Sequence, residues 1–262
     1  MRRIVVNLAP ATIRKSSAGL DLAIALGVLI ASGQIKGRKA KISALLNRCL
    51  FMGELALDGS LLPTFGTLAM SLAGLEADYN TIYTSVENGY NLKAIPNLTI
   101  YGESSLQNII TVLEDQVKYK SISTFKKVKI GKNQDEILTD TMDNKNHNTT
   151  YDVDFGDVQG QELGKRAMLI SAAGHHHCIM IGPPGGGKTM MAERLPTILP
   201  PMTWNEMVEV SRIQDVIGLL GDKGLVKTRP FRHPHHTATL ASMVGGGIQG
   251  RPGEVTLAHG GV

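Results

Sequence analysis

A chain of 262 residues, 42% hydrophobic and 19% charged, has enough apolar material for about two globular cores. Lys plus Arg exceed Asp plus Glu by only 27 to 23, so charge alone does not announce a nucleic-acid partner. Its two cysteines, Cys49 and Cys178, lie far apart in dissimilar apolar contexts, which argues against a disulfide framework and fits a reducing cytoplasm.

Residues 1–114 alternate strand and helix signals, which predicts an α/β or α+β domain. Ile4 to Leu8 reads as a strand, Pro10 to Ala18 as a polar loop, and Leu20 to Ser32 as a mostly apolar helix closed by Gly33. The apolar run from Leu22 to Ala31 behind Met1-Arg2-Arg3 imitates a secretory leader. Asp21 abuts that run and it is too short to span a bilayer, so the expectation is a buried helix and no membrane span. Leu50 to Leu57 predicts a strand that turns at Asp58-Gly59 toward Leu61-Leu62-Pro63. Thr67 to Leu75 predicts a small-residue helix, Thr81 to Thr84 a strand, and Ser104 to Leu113 a terminal helix.

Residues 115–152 offer little to bury. Lys118, Lys120, Lys126, Lys127, Lys129 and Lys132 precede a run rich in Asn, Asp and Thr, which predicts a solvated linker. A second domain, 153–262, opens with a helix from Gln161 to Ala173. His177 to Ile181 reads as a short strand, and Lys188 to Ile198 as a helix ended by Pro200-Pro201. Thr203 with Glu206 three residues on is a capping box. Ile217 to Asp222 is broken by glycine and reads as a loop.

Between that strand and helix stands Gly182-Pro183-Pro184-Gly185-Gly186-Gly187-Lys188-Thr189, which fits G-x-x-x-x-G-K-[ST]. Glycines let a backbone turn with its N–H groups directed inward, close enough to cradle phosphate oxygens. Lys188 is expected on the β- and γ-phosphates and the Thr189 hydroxyl on Mg²⁺. The strand–loop–helix context makes a mere glycine-rich turn the weaker explanation, and the ligand expected is a nucleoside triphosphate with Mg²⁺.

Further motifs carry a family resemblance. Asp154-Phe155-Gly156-Asp157-Val158-Gln159-Gly160-Gln161-Glu162 resembles the segment that opens many AAA+ modules and lies against the adenine. Arg229 to Thr237, Gly245-Gly246-Gly247 and Arg251 to His259 resemble the magnesium-chelatase-like branch of AAA+ proteins. Val6 to Pro10, Asp21 to Gly27 and Gly53 to Gly59 resemble the Lon-protease-like N-terminal domain of the YifB/ComM family. The resemblance covers nearly the whole chain except the linker. It implies an incomplete Lon-protease-like α+β domain, 1–114, followed by an incomplete P-loop AAA+ α/β domain. It also implies that Gly160 and Gln161 join the phosphate loop in binding the nucleotide. Its further implications are a homo-oligomeric ring ATPase that acts on DNA, linked to branch migration in natural transformation.

Departures from the family pattern set further expectations. Lon proteases activate a Ser with a Lys, but aligning Gly53-Glu54 and Leu62-Pro63 puts Leu68 at the Lys position, and Leu cannot accept a proton. Ser16-Ser17 only superficially matches the nucleophile segment, so no peptidase residue is assigned. The Asp-Glu strand that follows in the family is not found before Val262, so no catalytic residue is assigned and hydrolysis is expected to be missing. The strand around Ile179 is expected to have unpaired edges and an exposed apolar face. Two alternatives follow: an interaction-only or inert fragment of a decayed or split gene, and a magnesium-chelatase subunit, against which the Lon-like first domain argues. His175-His176-His177 and His233, His235, His236 have no cysteine or carboxylate at ligand spacing, so no metal beyond Mg²⁺ is expected. Trp204 and the phenylalanines make no stacking platform, so DNA binding rests on the resemblance alone.

Overall fold

The computed structural model describes residues 4–6, 17–35, 42–43, 46–118, 128–129, 151–221, 224–246 and 250–262. The chain divides into two units, one of Met1–Ile137 with Gly218–Gly224, the other of Leu138–Ile217 with Leu225–Val262. The expected linker, 115–152, lies mostly outside the described residues.

The first unit is a mixed α/β layer structure. Its helices are α1 (Asp21–Ser32), α2 (Thr67–Glu76), α3 (Val86–Asn91) and α4 (Leu106–Lys118), and its strands are β1 (Cys49–Phe51), β2 (Glu54–Leu55), β3 (Leu61–Leu62), β4 (Thr81–Ser85), β5 (Thr99–Glu103) and β6 (Val128–Lys129). The main sheet runs β1-β4-β5-β6, parallel across β1, β4 and β5 and antiparallel at β6. Alternation along each strand separates two faces. On one face Phe51, Tyr83 and Tyr101 stand in register and stack at 4.9 and 4.8 Å between ring centroids. Leu22 and Leu26 of α1 and Ile109, Val112 and Leu113 of α4 join that ladder in one core. On the other face α2 comes so close to Leu50 that a Cβ at Gly74 would collide with that side chain.

The predicted helices over Leu20–Ser32 and Thr67–Leu75 form within a residue or two of their expected bounds. Gly33 is left-handed at φ 78° and closes α1, with its N–H donating to Ile30 and that of Gln34 to Leu29. The predicted strand from Leu50 to Leu57 divides into β1 and β2. At the break, the Gly53 N–H donates to Gly19 and its carbonyl accepts from Leu22, which draws the backbone off the main sheet toward the start of α1. Asp58-Gly59 makes the expected turn between β2 and β3, with Gly59 at φ 84°. Ile4–Val6 form no strand and are exposed, and the rest of that predicted strand lies outside the described residues.

A buried polar knot fixes α2 and α3 against each other. The Asn88 amide donates to the Thr64 carbonyl at 2.9 Å and to Thr67 Oγ1 at 3.2 Å. Its oxygen accepts from Thr64 N–H at 2.8 Å and from Ser85 Oγ at 3.1 Å. Ser85 Oγ in turn caps α3 by accepting from Asn88 N–H.

In the second unit the described regular elements are α5 (Glu162–Gly174), α6 (Lys188–Arg194), α7 (Trp204–Val216), α8 (Leu240–Val244), β7 (Gly245–Gly246), β8 (Arg251–Pro252) and α9 (Glu254–Leu257). Helix α6 continues as a 3₁₀ turn over Leu195–Ile198. Thr203 and Glu206 form the expected capping box on α7. The predicted strand His177–Ile181 joins no ladder. Its apolar side chains Ile179 and Ile181 are 84% and 90% exposed, and among the described residues the unit's only paired strands are β7 and β8. No helix among the described residues is long and apolar enough to cross a membrane.

Asn88→Ala removes four side-chain hydrogen bonds and orphans the buried Thr64 N–H. A loss of about 2–3 kcal/mol is expected, measured as a lower urea midpoint for the first unit followed by the fluorescence of its stacked tyrosines.

Candidate functional site

The glycine-rich loop of residues 182–189 lies between the extended 177–181 segment and α6. Gly185 and Gly187 have φ of 81° and 78°, left-handed conformations that a residue with a Cβ adopts only with strain. The Lys188 ammonium folds back over the loop and donates to the Gly182 carbonyl at 2.9 Å and the Pro183 carbonyl at 2.6 Å. Thr189, the second residue of α6, is exposed. Gly182, Pro183, Pro184 and Gly185 are exposed as well, and a Cβ at Gly182 or Gly185 would meet nothing within 4 Å. Open backbone, one ammonium and one hydroxyl at the start of a helix are the donor set that a triphosphate and its magnesium require, so the residues present fit that group.

The Asp154–Gln161 stretch meets α6, its 3₁₀ extension and the preceding loop at one place each. The Phe155 N–H donates to Thr197 Oγ1 at 3.2 Å. Asp157 faces Arg194 at 3.6 Å. The Gln161 amide reaches the Gly186 carbonyl at 3.4 Å. Phe155 and Val158 bury themselves with Met191 and Leu195 of the phosphate-loop helix and with Met168 and Ala172 of α5. Close approach also occurs at Gly164, where a Cβ would meet the Met191 sulfur at 3.2 Å. The Gln161 contact sets Gly160 and Gln161 beside the 182–189 loop. Sequence reasoning missed Thr197 and Arg194. An Asp-x₂-Asp run opening the segment was the available sign of a local cap, and Asp154 with Asp157 does form a capping box.

A second network lies in the stretch resembling the chelatase motif. Arg229, 7% exposed, donates through Nε to the Pro200 carbonyl at 2.7 Å, through Nη1 to the Gly260 carbonyl at 2.6 Å and through Nη2 to Glu206 at 3.0 Å. Burial pulls the Glu206 carboxyl upward, but hydrogen bonds from Thr203 and Arg229 outweigh it and hold the group below its ordinary value. Arg232 makes a two-pronged pair with Glu254 at 2.6 and 2.8 Å. That pairing lowers the Glu254 carboxyl and raises the Arg232 guanidinium. His233, His235 and His236 lie nearby in sequence, with the His235 and His236 rings 4.1 Å apart. Among the described residues no three His, Cys, Asp or Glu side chains converge as a metal site. His175 is the left-handed C-cap of α5 at φ 52°, and His176 N–H donates to Ser171, so this part of the histidine triplet shapes a helix end. Leu68, which the resemblance set at the position of the Lon lysine, is fully buried in α2.

Comparison with known proteins follows this geometry. A family described as magnesium chelatase, subunit ChlI, matches residues 154–262, and one described as subunit ChlI of Mg-chelatase matches residues 1–88. The chain is 35% identical to the uncharacterized protein YifB of Salmonella typhimurium, over all of this chain and 46% of that relative. It is 34% identical to competence protein ComM of Haemophilus influenzae, over all of this chain and 47% of that relative. An uncharacterized protein of Mycobacterium tuberculosis is 33% identical over all of this chain and 48% of its own length. The chain thus spans about half the length of these relatives.

Two outcomes test the architecture around the loop. His175→Gly relieves a left-handed residue at the end of α5 and is expected to stabilise the second unit by about 0.5–1 kcal/mol, seen as a higher thermal midpoint. Glu254 has a folded pKa below its unfolded value, so its contribution is present above about pH 4.3 and disappears as pH falls through the folded pKa. Because both partners are partly exposed, that contribution is under about 1 kcal/mol. In Arg232→Met the acid-side decline in urea midpoint below about pH 4.3 is expected to be shallower than in wild type.

Proposed function

This chain belongs to the magnesium-chelatase-like family that includes YifB and ComM, and on that premise we propose that its second unit binds ATP with Mg²⁺ at residues 182–189. The observation that carries the reading is the loop itself: two left-handed glycines, and a lysine whose ammonium lies against the loop's first two carbonyls. In this reading the backbone N–H groups of Gly185, Gly186 and Gly187 receive phosphate oxygens. Lys188 exchanges its carbonyl contacts for the β- and γ-phosphates, and Thr189 is the protein's ligand to the metal. Mg²⁺, when bound, neutralises charge on the phosphates. Gly160 and Gln161 complete the site beside the loop, where the Gln161 amide meets the Gly186 carbonyl. Pro183 and Pro184 restrict the loop's entry, since each fixes its own φ.

The relative from Haemophilus influenzae carries the name competence protein. We extend the reading accordingly: the nucleotide site serves a homo-oligomeric assembly that handles DNA. This extension rests on the relative's name and on the family, and the described side chains carry only the nucleotide part.

A titration of the purified chain with a fluorescent ATP analogue and Mg²⁺, beside Lys188→Ala, tests the reading. Saturable binding in wild type, weakened on the order of 10-fold or more in the variant, is the expected result, because a hydrogen-bonded charge on phosphate is lost. Equal binding by the two proteins, or none by wild type, refutes it.

A further inference from the structure

The geometry points to Gln161 as a positioning residue that sets the direction of the Gly187 N–H within the phosphate loop, an inference that rests on the nucleotide reading. Gly160 and Gln161 are consecutive left-handed residues, at φ 66° and 55°, immediately ahead of α5. A glutamine at that conformation is uncommon and is held at a cost, because its longer side chain lacks the short local hydrogen bonds that make Asn and Asp tolerable there. The conformation sends the side-chain amide to the Gly186 carbonyl, 25 residues along the chain.

The consequence lies in the peptide plane. The Gly186 carbonyl and the Gly187 N–H belong to one trans peptide unit, so they point in opposite directions. With a glycine on each side, no Cβ resists rotation of that unit, and the N–H could turn away from a phosphate at little cost. Gln161 grips the carbonyl from outside the loop. The N–H is thereby directed away from Gln161, toward the side that the nucleotide reading assigns to the phosphates. The donor stands on a firm base, since the stretch that carries it is fastened to α6 through Thr197 and Arg194 and packs Phe155 and Val158 into the same core as Met191. Gln161 would then act on the phosphates through Gly187, without touching the base.

The test compares wild type with Gln161→Ala, Gln161→Glu and Gln161→Gly in the full chain, using Mg·ATP and adenosine as probes. Gln161→Ala is expected to bind Mg·ATP about 3–10-fold more weakly, the worth of one neutral hydrogen bond, with adenosine affinity unchanged. Gln161→Glu sets an acceptor against an acceptor and is expected to fall further. Gln161→Gly, which removes the amide and the backbone cost together, is expected to lose the same affinity as Gln161→Ala while its thermal midpoint holds or rises. In ¹⁵N-labelled protein the Gly187 amide resonance is expected to differ between wild type and Gln161→Ala before any nucleotide is added. Variants that bind Mg·ATP as tightly as wild type, or that lose adenosine affinity in equal proportion, overturn the positioning role and leave the nucleotide reading standing. A wild-type chain that binds no nucleotide overturns both.

Discussion

The second unit is tied together at one buried cation. Removing a guanidinium from water costs several kcal/mol unless its donors find partners of good geometry. Arg229 directs Nε, Nη1 and Nη2 to Pro200, Gly260 and Glu206, and its own N–H donates to the Tyr151 hydroxyl at 2.9 Å. These partners come from the start of the unit, the exit of the phosphate-loop helix, the first turn of α7 and the end of the described chain. Glu206 serves twice, because the carboxylate that compensates Arg229 also caps α7 through Thr203. A helix start and a charge pair are thus one construction.

The 182–189 loop is assembled from local parts. Two glycines provide left-handed turns, Lys188 braces the loop's first carbonyls, and α6 is held by the Asp154–Gln161 stretch on one side and by α5 on the other. The extended residues leading into the loop contribute little to this. Met180 packs on the α5–α6 core, whereas Ile179 and Ile181 face solvent. Apolar alternation along those residues promises a strand, but a strand exists only with a neighbour to receive its N–H and C=O groups.

This difference explains what was legible in the sequence. Helices α1, α2 and α7 were readable because their signals are local: a closing Gly33, a small-residue run, and the Thr203–Glu206 box. The Asp58-Gly59 turn was readable for the same reason. Strand β5 and helix α3 were not, since Gly102 interrupts Thr99–Glu103 and Val86–Asn91 has no apolar period. Both depend on partners far along the chain, β4 for the strand and the Thr64–Thr67 turn for Asn88. Within the candidate site, the glycine-rich loop before α6 was legible because the G-x-x-x-x-G-K-[ST] spacing is local to Gly182–Thr189. The motif could not show which residue of the Arg229–Thr237 stretch is the hub. Arginines 229 and 232 look alike in sequence, and only burial separates the three-way anchor from the two-pronged surface pair.

Binding and turnover place different demands on such a site. Binding a triphosphate needs inward N–H groups and one ammonium held within reach, and these are settled within the loop and the stretch beside it. Hydrolysis adds a positioned water and groups that stabilise charge on the transferred phosphoryl, usually contributed from other elements. On the proposed reading, the 182–189 loop can therefore be tested for binding on its own terms. On that reading the orientation of the Gly186–Gly187 peptide tunes affinity, because that peptide costs little to turn and carries a donor for the phosphates.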